Sequence, residues 1–140
     1  MIFQDVLNMI RDNAEKVNPT GSFIHGRNSD AANSAGENMD YPRIHLYPFI
    51  QTINPLDLER RKSDLLLSFV DADSGNQDQL ERERIISEMG VLVDSFLNQL
   101  AVDYDSAVQF DNIRTEPQYQ ILEGVSGYTL SLKIATVVPC

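Results

Sequence analysis

The chain has 140 residues, of which 42% are hydrophobic, and its formal net charge is −10. This length and composition predict one globular domain with a single sizeable core, and they exclude an intrinsically disordered chain. A general nucleic-acid-binding protein needs a basic surface to displace counterions from phosphates, so the acidic balance argues against that class. An acidic surface serves solubility, and it also allows nucleic acid to pass without adhering.

Cysteine content and apolar runs exclude several further classes. The only cysteine is Cys140, so an intrachain disulfide scaffold is excluded, and with no histidine near it in sequence we predict no catalytic thiol. No apolar run approaches the roughly 20 residues that span a bilayer. The N-terminus lacks a basic region followed by an apolar stretch, so we expect neither a membrane protein nor a signal peptide.

The first predicted element is an amphipathic helix. Its end is predicted at 18–21, because Pro19 disfavours helical dihedrals in the residue before it. A short strand follows at 22–25. Residues 26–40 are small and polar, which is typical of a long exposed loop that either orders against a partner or is a mobile insertion. The apolar residues at helical spacing in the first element are Ile2, Phe3, Val6, Leu7 and Ile10.

A long hairpin is predicted over residues 43–70. Its first strand covers 43–50, and Pro48 places that strand at a sheet edge or introduces a bulge, because proline has no N–H for the ladder. Residues 54–64 have the composition of a turn region. The partner strand, 65–70, is nearly continuous in apolar residues, which is typical of a central strand.

A long amphipathic helix is predicted over 77–101. At 1.5 Å per residue it would be roughly 35 Å long, enough to cross a whole sheet. Gly90 in its middle costs about 1 kcal/mol relative to alanine, which indicates close packing at that point. Two capping boxes compete for its start, Asp78 with Glu81 and Ser74 with Gln77. The apolar stripe consists of Leu80, Ile85, Ile86, Met89, Leu92, Val93, Phe96, Leu97 and Leu100.

The remaining elements are strands. Residues 107–110 and 118–122 are predicted as two strands separated by 112–117, and a turn at 124–127 leads into a last strand at 128–134, where apolar and polar residues alternate. The order is α-β-β-β-α-β-β in one domain of residues 1–140. The predicted fold class is therefore α/β of the α+β type, a mainly antiparallel sheet with the long helix across one face and the N-terminal helix alongside.

An acidic segment at 71–78 invites a calcium-binding interpretation, because alternating aspartates supply several oxygen ligands. The EF-hand pattern fails, since the sixth position counted from Asp71 is Asn76 rather than glycine and the twelfth is Arg82 rather than glutamate. We therefore predict that Asp71 and Asp73 form an acidic strand-to-helix turn facing the helix dipole, and we predict no metal site.

No catalytic pattern is present in the sequence. His25 and His45 are the only histidines, and the chain contains no nucleophile elbow, no zinc-ligand spacing and no glycine-rich phosphate loop. We therefore predict that the protein is not an enzyme and that it carries no cofactor.

The candidate contacts to other chains are basic residues. Arg60, Arg61 and Lys62 hold three of the eleven basic residues, and they form either a docking point for an acidic surface or phosphate or a solvated hairpin tip. Arg114 either pairs across subunits or forms a local surface salt bridge. Arg43, near the start of the hairpin, completes the candidate set.

The order of the elements resembles that of the tail-terminator and tail-completion (neck) proteins of tailed bacteriophages. The segments that carry the resemblance are Tyr-Pro-Arg-Ile-His-Leu at 41–46, the long helix from Gln77, and the run at 119–132 that ends in Gly-Tyr-Thr-Leu-Ser-Leu. Members of this family are small α/β proteins with a long hairpin and one helix packed across a sheet.

The resemblance implies a structural virion protein, made in the host cytoplasm, that forms a six-fold or twelve-fold ring between the head connector and the tail. Such a ring caps tube growth and gives DNA a channel, through which DNA passes without specific binding, and no membrane is involved. The alternative from another class is a monomeric or dimeric adaptor that binds a protein partner through an exposed strand edge.

Overall fold

The computed structural model describes residues 3–26, 41–72, 79–103, 108–122 and 125–137. Within these ranges the chain forms an N-terminal helix, a six-stranded sheet and one long helix, which confirms the predicted α+β class. The order is α-β-β-β-β-α-β-β, with four strands rather than three between the helices. The elements are α1 (Phe3–Val17), β1 (Ser22–His25), β2 (Arg43–Leu46), β3 (Ile50–Asn54), β4 (Asp57–Ala72), α2 (Gln79–Asp103), β5 (Val108–Leu122) and β6 (Val125–Val137).

Strand β4 is the centre of the sheet. The strand order is β1-β2-β4-β6-β5, and β3 pairs with β4 next to β2, so β4 has three partners. Only the pair β1–β2 is parallel, and the other pairs are antiparallel. The central position predicted for 65–70 is therefore confirmed.

Both helices pack on the same face of the sheet. The core joins side chains from α1, from α2 and from one face of β2, β4 and β6, and in it the rings of Phe69 and Phe96 meet edge to face with centroids 5.4 Å apart. A Cβ at Gly90 would lie 3.1 Å from Cε2 of Tyr128, so the close packing predicted there is confirmed. The fully buried large residues are Phe69, Phe96, Ile10, Ile44, Leu46, Leu67, Ile85, Leu100, Leu130, Leu132, Ile134 and Val6.

By length and composition, Leu80–Val102 of α2 is apolar enough to cross a bilayer. In the fold its stripe of Ile85, Met89, Val93 and Phe96 is buried in the core of the domain. This stripe holds the helix on the sheet, whereas Leu80, Val91 and Val102 add to its mean hydropathy although they are exposed.

The structure corrects the prediction of two strands separated by residues 112–117. Strand β5 is continuous over 15 residues, and the register shifts between Asp111 and Arg114, where Asn112 has a φ of 51°. This bulge interrupts the alternation of the two faces along the strand, so the sequence pattern predicts a break although the strand continues. Pro117 is tolerated because β5 is the outermost strand on its side.

The hairpin also differs from its prediction. The strand expected over 43–50 is divided into β2 and β3 around Pro48, and the turn expected over 54–64 is confined to Pro55 and Leu56. Strand β4 begins at Asp57, and its charged residues Lys62 and Asp64, which resemble part of a turn, are exposed on the face of the sheet away from the helices. The predictions for the loop at 27–40 and for the helix caps at 74–78 fall outside the described residues.

Candidate functional site

The basic residues of the hairpin lie in the body of β4 and not at the tip. Arg60, Arg61 and Lys62 are opposite Val137, Thr136 and Ala135 of β6. Arg61 is half-buried and Lys62 is exposed, and because side chains alternate along a strand they lie on opposite faces of the sheet. The predicted cationic tip is therefore wrong, and Lys62 is the residue of the pair that faces solvent.

The tip and outer side of the hairpin are apolar instead. Leu56 in the turn is 94% exposed, and on β3 Ile50 is 73% and Ile53 is 43% exposed. No charged residue occurs between positions 50 and 56. We call these three side chains the apolar hairpin surface; it surrounds the outer edge of β3, because Ile50, opposite Asp64, and Ile53, opposite Arg61, lie on the two faces of the strand. Among the described residues the outer edge of β3 has no strand partner, so backbone hydrogen-bonding groups lie beside this surface.

The opposite edge of the sheet, β5, is built differently. It carries the bulge at Asn112, a proline at position 117 and the exposed charged residues Arg114 and Glu116. Bulges, prolines and charges are the features that prevent an edge strand from pairing with another chain. Arg114 makes no ion pair with any residue in the described ranges. Of these two edges, β5 is thus the protected edge and β3 the unprotected edge, while β1 is the remaining outermost strand of the sheet.

A buried polar cluster lies on the face of the sheet away from the helices. Arg43 and His45 alternate with the core residues of β2 and therefore point to that face, together with Tyr47 and with Ser68 of β4. The His45 Nε2–H donates to the Gly26 carbonyl at 2.6 Å, and the His45 and Tyr47 ring centroids are 4.1 Å apart. The Ser68 hydroxyl donates to the Tyr47 hydroxyl at 3.0 Å.

Arg43 is the unusual member of this cluster. Its side chain is 2% exposed, and its guanidinium carbon lies 4.8 Å from the ring centroid of Tyr41. The buried Nε and Nη2 atoms have no hydrogen-bond partner. The contact of Arg43 with another chain stays a prediction, although little of this side chain reaches the surface of its own subunit.

The predicted acidic turn is only partly described. Asp71 lies in β4 opposite Ser126 of β6 and is half-buried, so it belongs to a strand and not to a turn, whereas Asp73 lies outside the described residues. In the described part of the chain no group of three or more His, Cys, Asp or Glu residues is arranged to hold a metal ion. The absence of a metal site stays a prediction.

His25 is the second histidine and is the last residue of β1, near Phe49 in the segment between β2 and β3. Its ring is 6.1 Å from that of Phe49, centroid to centroid. Burial, together with the nearby positive charge of Arg11, lowers the pKa of His25 below its ordinary value of 6.5. The neutral imidazole is therefore the form that the fold favours.

No protein-family model matches the chain, and no curated protein sequence matches it significantly. The sequence pattern predicts Arg43 as a candidate contact, but the buried polar cluster around it was not predicted. The signal was present, because Arg43, His45 and Tyr47 alternate at period two with Ile44 and Leu46, and this pattern places them on one face of a strand.

Proposed function

We propose that the chain is a structural subunit of a homo-oligomeric ring at the head–tail neck or tail end of a tailed phage. In this role, that of a tail terminator or tail-completion protein, six or twelve copies join the connector to the tail and surround a channel for DNA. The protein is made in the host cytoplasm and acts in the virion, without catalysis or a cofactor. The observation that carries the proposal is the apolar hairpin surface on the unprotected edge of the sheet.

The charge of the chain supports contact at this surface. Copies that each carry a net charge of −10 repel one another, so they approach most easily where the surface carries no charge. Residues 50–56 are such a place, and they expose three large apolar side chains. Full burial of one such side chain contributes about 1.5–3 kcal/mol. The contact repeats around a ring, so a small apolar surface on each subunit suffices.

The open edge of β3 also fits the alternative function, a small adaptor that captures an extended segment of a protein partner. In that mode the backbone groups of β3 give affinity and the side chains beside them give specificity. The two functions differ in what the pure protein does, because a ring subunit binds its own copies and an adaptor waits for a different chain.

Sedimentation-velocity ultracentrifugation with electron microscopy tests the proposal on the full chain. We expect ring-sized species whose population rises with protein concentration. The double variant Ile50→Lys with Ile53→Lys should sediment as a monomer and keep the wild-type unfolding midpoint. The matched control, Ile113→Lys on the protected edge, changes a residue that is 49% exposed and should assemble normally.

Two results would contradict the ring. A wild-type chain that stays monomeric at every concentration, in the presence of purified connector as well, favours the adaptor. Assembly of the double variant at wild-type strength shows that the subunits meet elsewhere.

A further inference from the structure

A charged side chain is buried at the start of β2 with part of its hydrogen-bonding capacity unused. The cross-strand neighbours of Arg43 are Ser22 of β1 and Val70 of β4, neither of which carries a charge. Arg43 is 2% exposed, and no salt bridge connects it to a carboxylate in the described ranges. Its nearest neighbour on the same strand face, His45, uses Nε2–H to donate to a backbone carbonyl.

This arrangement is costly unless an anion completes it. Arginine, unlike lysine, does not relieve the cost of burial by losing its charge. An unpaired buried charge is among the most unfavourable features of a protein interior. The ring of Tyr41, 4.8 Å away, offsets part of this cost through a cation–π contact. That contact supplies no hydrogen-bond acceptor, so the N–H groups still need partners.

The two buried nitrogens without a partner are Nε and Nη2. They lie on the same edge of the guanidinium plane and donate in parallel, which is the geometry that a carboxylate or phosphate accepts through two oxygens. A single water or carbonyl oxygen does not match both donors equally well. The unused pair therefore specifies the shape of the missing acceptor as well as its charge.

We propose that Arg43 is the anchor of an oxyanion-binding site on the face of the sheet away from the helices. The site takes a small ion with carboxylate or phosphate chemistry, held side-on by Nε and Nη2, with Tyr41 stacked on the guanidinium. The site is independent of the ring, because its residues are buried within one subunit and share no side chain with the apolar hairpin surface.

Thermal unfolding in inorganic phosphate and, separately, in acetate tests the site and distinguishes its two chemistries. Sodium chloride keeps the ionic strength constant. We expect the wild-type midpoint to rise by about 3 °C or more and to saturate, because an ion that binds only the folded state stabilises it. A larger rise in phosphate assigns a phosphate site, and a larger rise in acetate assigns a carboxylate site.

Three variants provide the comparison. Arg43→Met should abolish the response, and Arg43→Lys, which keeps the charge but loses the two parallel donors, should weaken the apparent affinity about tenfold. Arg84→Met is the matched control, since it removes one exposed arginine charge on α2, away from Arg43 and from the hairpin, and it should respond like the wild type. An equal response in Arg43→Met and the wild type would overturn the proposal.

A measurement on the wild type alone keeps the test decisive if the Arg43 variants do not fold. The nitrogen–proton NMR signal of the Arg43 Nε–H should shift in a saturable way as phosphate or acetate is added. A signal that does not move with either ion overturns the site and leaves Arg43 as a stacked cation. Because the ring is measured by sedimentation, its failure and the failure of this site are separate results.

Discussion

Strand β4 passes through two environments. Along 65–70, Leu65, Leu67 and Phe69 are buried under the helices. Along 57–64 the strand is half of the hairpin: Ser63 is buried and Arg61 half-buried on the helix side, whereas Lys62 and Asp64 are exposed on the other face. Both halves pair with β6 without interruption, so the backbone ladder does not distinguish them.

The two halves differ in how they are stabilised. The core half gains its free energy from apolar burial, whereas the hairpin half holds one buried hydroxyl, Ser63, which accepts a 3.2 Å hydrogen bond from Gln51. The contact between Lys133 and Asp64 is 4.0 Å long and half-exposed, and such pairs contribute little. In the proposed ring, this half of the strand contributes to contact with another chain.

The largest expected effect lies in the core half. Replacing Phe96 by alanine removes the ring that packs against Phe69, and it should lower the free energy of unfolding by about 3–5 kcal/mol. Urea denaturation of the variant and the wild type at equal concentration measures this. A loss below about 1 kcal/mol would mean that this face of α2 contacts only a partner subunit. The distinction between a core half and a hairpin half of β4 would then be wrong.

A second effect is expected where β4 and β6 approach most closely. A Cβ at Gly127 would collide with the carbonyl oxygen of Phe69, a backbone atom that cannot rotate away. Gly127→Ala should therefore separate the two strands and cost about 1–3 kcal/mol. Denaturation gives the value, and strand amide shifts in NMR spectra locate the change. An unaltered midpoint would show that the pair β4–β6 is looser than its register suggests.

Much of the core half could be predicted from the sequence, and the hairpin half could not. The stripe of α2 and the alternation of β6 are direct consequences of burial on one face. The beginning of β4 resembles a turn because its residues are charged, although charged residues fit a strand that extends into solvent. The burial of Arg43 could not be predicted either, because arginine is usually exposed and this side chain is buried only by the neighbours that the fold brings around it.

A smaller effect is expected at the junction of the two halves, where His25 contacts Phe49. Because the pKa of His25 is lowered from 6.5 in the fold, the unfolded chain binds its proton first as the pH falls. The contribution of His25 to stability is thus fully present above pH 6.5 and is lost below it. His25→Gln should lose less stability than the wild type between about pH 7.5 and pH 5.5. Parallel pH dependences would contradict the lowered pKa.

The smallest effect on folding, and the sharpest on assembly, is expected at Lys62. Arg61 is half-buried on the helix side of the sheet, so reversing the charge of all three basic residues would disturb the fold. Lys62 is exposed on the face away from the helices, so a single substitution there avoids this problem. Lys62→Glu should change the free energy of unfolding by less than about 0.5 kcal/mol. It should weaken ring formation, most strongly at low salt, where charges are least screened.

Arg114→Glu makes the same change in net charge at the protected edge, and it separates a local effect from general repulsion. If both variants reduce the fraction of protein that sediments as a ring equally, the net charge controls assembly and the hairpin makes no specific contribution to it. If only Lys62→Glu does, the subunits meet at the half of β4 that lies outside the core.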